Sequence, residues 1–391
     1  MDNLVNIVYS FMFGGRDMAY DDSEKNNNRG IYRVKFEDKN DLNKKGEPKI
    51  KFKYYYIKNN KEVDNDTLIR INKLGLAPAY INVWVSENPY SKIQATGIDA
   101  KGRKQYRYHP NAIEISTENK FLRLYKFIKA MPKLDNKIEE DIKLTMYSKN
   151  RVIAYMLKIV KELNMRVGKE HYAQTNKSYG ISSLKKTHVN ITDDLTIKFN
   201  FKAKSNKLVS YTLKDDIIAN ELKLLLQLEG EKLFQYISQT NNIIKVNDTD
   251  MNQYIQNYIG SSFTMKDYRT YAANLYFIKA LINETKKRTP KDKKTIKKNL
   301  NLAQESTAFH LRHTKSISKK SYTMGLIRDM YEQNPQWFIN NKLKKPLTIL
   351  IGLLKIYKEK ITKIRTDKNI TDNTIIEDDT IDDIDNDITD D

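Results

Sequence analysis

No cysteine occurs in this sequence, which removes disulfide frameworks, thiolate metal sites and cysteine nucleophiles and fits a reducing, intracellular compartment. Histidine is nearly as scarce. His109, His171, His188, His310 and His313 form no helical pair with an intervening Glu, and no carboxylate loop of the EF-hand kind replaces them. Metal-free chemistry is expected, with no metal ligand and no cofactor assigned. Long apolar runs are missing too. Thr348 to Leu354 is too short to span a bilayer, and Met1-Asp2-Asn3 lacks the basic start of a signal peptide. A soluble, unexported protein with no membrane partner is expected. Gly97 to Gly102 has the glycine spacing of a nucleotide-cradling loop, but Arg103-Lys104 follows where Lys-Ser or Lys-Thr is needed. A turn between strands accounts for it, and no ATP site is supported.

What the chain does have is positive charge. Its formal net charge is +20 with 30% charged residues, which points to a polyanionic partner, while 10% aromatic residues argue against simple disorder. At 391 residues it can hold two folded units and a tail. Residues 1–116 read as a β-rich domain, 117–365 as a mainly helical one, and 366–391 as an acidic, disordered tail. That tail carries eleven acidic residues against one lysine. Residues of about 20–49, rich in Asn, Asp, Lys and Gly, read as a flexible insertion.

Strand signals cover Ile81–Val85, Ile93–Gly97 and Arg103–His109, a small antiparallel sheet. From Thr117 the apolar spacing turns helical through Leu124, Phe127, Ile128 and Met131, with a stop expected at Pro132. A second helix runs from Val152 to Leu163, with its end signalled by Gly168 and Arg166 in its last turn. Ile197, Phe199 and Phe201 alternate with polar residues, and a turn over Ala203–Lys207 leads into Leu208–Tyr211, a hairpin with Lys204 at its tip. Thr264 caps a helix bearing Lys266, Arg269, Tyr271 and Leu275. Further helices continue to about Lys363. The fold class is α+β.

The chemistry centres on His313 and Tyr322, nine residues apart. A phenol can attack a phosphodiester, and an imidazole can bind the phosphate it attacks. Charge then builds on the non-bridging oxygens, which calls for several fixed cations, arginine forks above all. The departing 5′-oxygen is a far worse leaving group than phenolate, whose parent phenol has an ordinary pKa of about 10. It needs a proton donor, for which a lysine on a long stem is suitable. A continuous helix turns about 100° per residue and would set His313 and Tyr322 on opposite faces. A break at Ser316-Ile317-Ser318 is therefore required, with a serine capping the helix that carries Tyr322. Taken singly, each of these residues has a plain structural explanation; the ordered set does not.

That set comprises Gly97 to Tyr108, Met165-Arg166-Val167-Gly168-Lys169, Phe201-Lys202-Ala203-Lys204-Ser205, Lys266-Asp267-Tyr268-Arg269-Thr270-Tyr271, and His313 to Tyr322. It resembles the type IB DNA topoisomerase family in its compact, poxvirus-like form, over roughly Leu74 to Tyr331. The resemblance implies a fold shared with tyrosine recombinases and a C-shaped clamp around duplex DNA, built from a small β-rich domain and a helical catalytic domain. It implies that Tyr322 is the nucleophile forming a 3′-phosphotyrosyl link. Arg166, Arg269 and His313 match the residues that bind the scissile phosphate, Lys204 matches the general acid, and Lys266 a further basic residue beside it. Gln105, Tyr106 and Tyr108 match residues of the sheet that contact the major groove, and Lys169 and Tyr172 match DNA contacts of the catalytic domain. The implied activity relaxes supercoils of either sign by nicking, strand rotation and resealing, without ATP or metal, in a monomer. An Asn-, Ile-, Lys- and Tyr-rich composition suggests an AT-rich genome, and the likeness to enzymes of large DNA viruses makes a virion or a cytoplasmic viral factory the expected location.

Departures are visible. The family's Gly-Lys at the hairpin tip is Ala203-Lys204 here, which leaves Lys202 as a rival proton donor. Its Gly-His before the nucleophile is Arg312-His313, an added cation with no role derivable from sequence. His310-Leu311-Arg312-His313 imitates a recombinase box but lies too close to Tyr322, so His310 and Arg312 read as structural or backbone-contacting. A tyrosine recombinase or integrase and a non-enzymatic DNA-packaging protein are the alternatives.

Overall fold

The computed structural model describes residues 29–367. The expectation of an acidic, disordered tail falls almost entirely outside the described residues, as does the part of the expected insertion that precedes Arg29. The chain divides into two compact units, one ending at Asn119 and the other starting at Lys120.

The first unit is built on a five-stranded antiparallel sheet of β1 (Ile31–Leu42), β2 (Pro48–Tyr56), β3 (Ile81–Val85), β4 (Ile93–Ile98) and β5 (Lys104–Tyr108), in the order β2-β1-β3-β4-β5. Helix α1 (Asn65–Lys73) covers one face, and Ile31, Tyr54, Ile71, Val83, Val85 and Ala95 form the core. Asp64 caps α1 by accepting from the Thr67 backbone N–H at 2.8 Å. The expected flexible insertion is corrected here, because residues 31–49 lie in the β1–β2 hairpin. Only Ile31 of β1 and Tyr54 of β2 are buried, so the apolar alternation that marks a half-buried strand is absent. Antiparallel backbone pairing from Ile31↔Tyr56 to Asp38↔Lys49 holds the hairpin, with a turn at Gly46 (φ 78°) and cross-strand pairs such as Lys51–Asp38 (2.8 Å) adding to it.

Helix α2 (Pro110–Asp141) starts seven residues earlier than the sequence spacing predicts and continues through Pro132. Pro110 suits a first helical position, and the His109 ring nitrogen accepts from the Asn111 N–H at 3.2 Å. The proline removes one backbone bond but does not end the helix. Leu134 and Ile138 beyond it are buried in the same core as Phe127 and Met131, and that packing outweighs the lost bond.

In the second unit, α3 (Lys149–Leu163) packs with a three-stranded sheet of β6 (Val189–Ile191), β7 (Thr196–Lys202) and β8 (Leu208–Lys214), order β6-β7-β8. A second cluster gathers Leu124, Ile128, Phe277, Leu281, Tyr331, Phe338 and Leu353. Helices α4 (Glu170–Asn176), α5 (Asp216–Gln227) and α6 (Asp248–Ile259) precede the long α7 (Met265–Lys287). Helix α7 serves both cores: Met265 and Tyr268 face the first, Phe277 and Leu281 the second. Between them Ala272 and Ala273 meet Leu311 and Tyr322, small residues that let the chain after α8 (Lys293–His310) approach closely.

Candidate active site

Arg269 is only 6% exposed, and it is fixed by what it donates to. One terminal nitrogen gives a hydrogen bond to the Asn164 carbonyl (2.6 Å), the other to the Leu311 carbonyl (2.9 Å). Its Nε has no partner among the described residues, so one donor of a buried guanidinium is left for an acceptor. The guanidinium carbon lies 5.6 Å from the centre of the Tyr322 ring. The start of α7 is set by Asp267, whose carboxylate accepts from the Thr264 N–H at 2.9 Å and from Arg123 Nε at 2.8 Å. Burial pushes the Asp267 carboxyl up, against the opposing pull of Arg123.

His313 and Tyr322 meet face to face, with ring centres 4.9 Å apart and planes at 18°. The helix break expected at the serines is not how this is achieved. Thr314 caps a short helical turn by accepting from the Ile317 N–H at 3.2 Å, and Ser318–Tyr322 then widens into a π-helical turn ending at Tyr322. The Thr323 N–H reaches back to the Ser318 carbonyl at 3.0 Å, an i→i+5 bond. Widening changes the rotation per residue and brings the two rings to one side.

The turn is held by buried amides. Asn274 donates to the Tyr322 carbonyl (2.9 Å) and accepts from the Met324 N–H (2.8 Å), while Gln304 donates to Ser318 Oγ (2.6 Å). Lys120 donates to the Ser321 carbonyl, and its Nζ sits 5.7 Å from the Tyr322 ring centre. Sequence reasoning missed Lys120, Asn274 and Gln304. Lys120 lies in no motif, but two amides on otherwise apolar helix faces were a usable signal.

Arg166 is not in the last turn of α3. Asn164 ends that helix with a left-handed φ of 51°, and Arg166 follows in the loop beyond it. Gly168 serves close packing instead. The Ile181 N–H donates to the Arg166 carbonyl (2.9 Å) and the Ser182 N–H to the Val167 carbonyl (2.8 Å), with Gly180 pressed against the same backbone. Since Arg269 grips Asn164, the Arg166 loop is tied directly to the guanidinium beside Tyr322. Lys204 stands at the exposed tip of the β7–β8 hairpin, on a short 3-10 turn closed by the Ala203 N–H on the Lys207 carbonyl at 2.8 Å. Lys202, at the end of β7, is exposed as well.

Lys266 is half-buried, Lys169 is exposed just ahead of α4, and Tyr172 is 49% exposed with its ring 5.6 Å from that of His171. In the first unit Tyr106 and Tyr108 share one face of β5, their rings stacked at 5.9 Å. Gln105 falls on the other face. It is buried and donates to Asp99 at 3.1 Å, the carboxylate that also holds Arg103 at the β4–β5 turn. His310 stacks on Tyr276 at 4.8 Å, and Arg312 donates to the Ser210 carbonyl at 2.8 Å, so both have structural contacts. Among the described residues no group of three or more His, Asp or Glu could hold a metal ion.

The chain is similar in sequence to known proteins. A family model for the catalytic core of eukaryotic DNA topoisomerase I matches residues 109–338, and one for the N-terminal domain of bacterial DNA topoisomerase IB matches residues 51–99. The DNA topoisomerase 1B of Acanthamoeba polyphaga mimivirus is 49% identical over 348 residues, covering 88% of this chain and 99% of that one. The DNA topoisomerase 1B of vaccinia virus (strain Copenhagen) is 27% identical over 266 residues, 64% of this chain and 76% of that one. A solved structure of the XerH site-specific recombinase on its difH substrate matches 53% of each chain at 18% identity with a TM-score of 0.30, too slight a likeness to bear on the fold.

Proposed function

The chain belongs to the type IB DNA topoisomerase family, and on that premise we propose that Tyr322 is the nucleophile that cuts one strand of duplex DNA. The observation that carries this reading is the phenol's setting. Its ring is packed by His313 at 4.9 Å and by the cations Arg269 and Lys120, and Arg269 keeps an unpartnered buried Nε. Positive charge fixed there stabilises the negative charge that develops on the reacting oxygens.

The phenol oxygen bonds to phosphorus and gives up its proton to solvent water. The bond from phosphorus to the 5′-oxygen breaks, and that oxygen takes a proton from Lys204, for which Lys202 is the rival. Arg166, Arg269 and His313 bind the scissile phosphate. The ester keeps the energy of the broken bond, so resealing needs no ATP. Lys266, Lys169, Tyr172 and the stacked Tyr106 and Tyr108 contact DNA. Gln105 acts through the Asp99 turn. The protein works as a monomer, in a virion or a cytoplasmic viral factory.

Plasmid relaxation in EDTA without ATP tests the reading, with Tyr322→Phe in parallel. The parent protein is expected to relax supercoils of both signs, and the variant to bind DNA but relax none. Undiminished relaxation by the variant would move the nucleophile elsewhere. A recombinase would instead require two DNA sites.

A further inference from the structure

Arg312 occupies the position where the family resemblance leads one to expect glycine, and its backbone has the conformation that glycine favours, with φ at 55°. An L side chain is strained there unless its contacts offset the strain. Arg312 makes two such contacts. Its Nη2 donates to the Ser210 carbonyl of β8 at 2.8 Å, and its guanidinium carbon lies 4.8 Å from the centre of the Tyr211 ring. Strand β8 is an edge of its sheet, so Arg312 fills an acceptor that no neighbouring strand uses.

The contact extends into the hairpin. Tyr211 is buried and stacks on Phe201 of β7 with centres 5.9 Å apart and planes at 18°. Phe201 leads straight into Lys202, Ala203 and Lys204, and the strands stay paired up to Lys202 and Leu208. Its neighbours in the chain are engaged in the other direction. The Leu311 carbonyl accepts from Arg269, and the His313 ring lies against Tyr322. Three consecutive residues therefore hold three separate parts of the site.

We propose that Arg312 is a positioning residue that locks the Lys204 hairpin to the segment carrying His313, keeping the proton donor in register with Tyr322. This rests on Lys204 being the general acid. The planar guanidinium is essential to the lock, because it stacks on one group while donating edge-on to another, which an ammonium cannot do.

The test is single-turnover cleavage, at saturating protein, of a duplex whose scissile phosphate has either its ordinary 5′-oxygen or a bridging 5′-sulfur. A thiolate leaves without help from an acid, so sulfur bypasses the proton donor. Arg312→Gly suits the backbone, and its fold is checked by thermal melting. It is expected to slow cleavage of the oxygen substrate by about tenfold or more, part of what a general acid contributes, and to cleave the sulfur substrate at nearly the parent rate. Arg312→Lys should resemble Arg312→Gly. Equal slowing on both substrates, or no slowing on either, overturns the proposal while leaving the Lys204 assignment intact. Lys204→Ala is the control. If sulfur fails to rescue that variant, the assignment itself is wrong and the proposal goes with it.

Discussion

Tyr322 is 7% exposed, well packed for the nucleophile proposed here. Its neighbours explain that burial, since a phenol on a flexible surface turn would have to be oriented anew at each reaction, at an entropic cost. In that proposal Arg269, held by two backbone carbonyls beside the ring, gives both orientation and charge. Arg269→Ala is expected to slow covalent-adduct formation by about 10²–10³-fold, the equivalent of roughly 3–4 kcal/mol for one lost oxyanion donor. Arg269→Lys should recover little of that, because a lysine cannot reach the Asn164 and Leu311 carbonyls while also presenting a donor to phosphate. Adduct yield against time on a short duplex measures both. Buried carboxylates are governed by the same electrostatics. Asp267 is pushed up by burial and held in check by Arg123. Arg123→Met should cost about 3 kcal/mol, the low end for stripping a partner from a buried ion, since Arg123 is itself a quarter exposed. With the Asp267 folded-state pKa above its unfolded value, the folded form binds the extra proton. The penalty should thus be smallest at acid pH and grow as pH rises through that raised pKa. Chemical denaturation of the variant and parent at pH 5 and pH 8 reads the difference.

At the scale of elements, the strongly periodic parts were legible. β3, β4, β5, α3 and the β7–β8 hairpin fall where strand-like and helical patterns put them: β7 alternates buried and exposed residues, while β4 and α3 are apolar enough to be buried almost throughout. The β1–β2 hairpin was not legible, since only Ile31 and Tyr54 are buried and its long antiparallel pairing leaves no apolar alternation in the sequence. Pro132 misled for the opposite reason, as tertiary packing overrode a local stop signal. Of the candidate site, the sequence pointed to residue types and order but not to the means of assembly. A requirement that His313 and Tyr322 share a face was readable; that a π turn meets it was not. The loop of Arg166 gives a further expectation at this scale. A Cβ on Gly180 would fall within 2.6 Å of the Arg166 carbonyl and 2.5 Å of the Gly168 nitrogen, so the backbone must shift. Gly180→Ala is expected to destabilise by about 1–3 kcal/mol, as overpacking does, and to slow cleavage more than it weakens DNA binding. Cleavage rate and binding affinity measured on one duplex separate the two effects.

Across the whole molecule, charge and chemistry serve different steps. A net charge of +20 supplies attraction to any duplex, and that attraction should fall linearly in log affinity with log salt. Tyr322→Phe should have the same salt slope as the parent while forming no adduct, which separates binding from cutting. The chain belongs to the type IB topoisomerase family, and the sequence pattern that pointed to it was spread over five segments rather than concentrated in one motif. The most direct measurement is to trap the covalent complex with SDS, digest it with protease and nuclease, and identify the modified peptide by mass spectrometry. A nucleotide-bearing peptide containing Tyr322, joined through the DNA 3′-phosphate and absent from Tyr322→Phe, is the expected result. The same adduct on any other tyrosine, or on the 5′ side of the break, would contradict it.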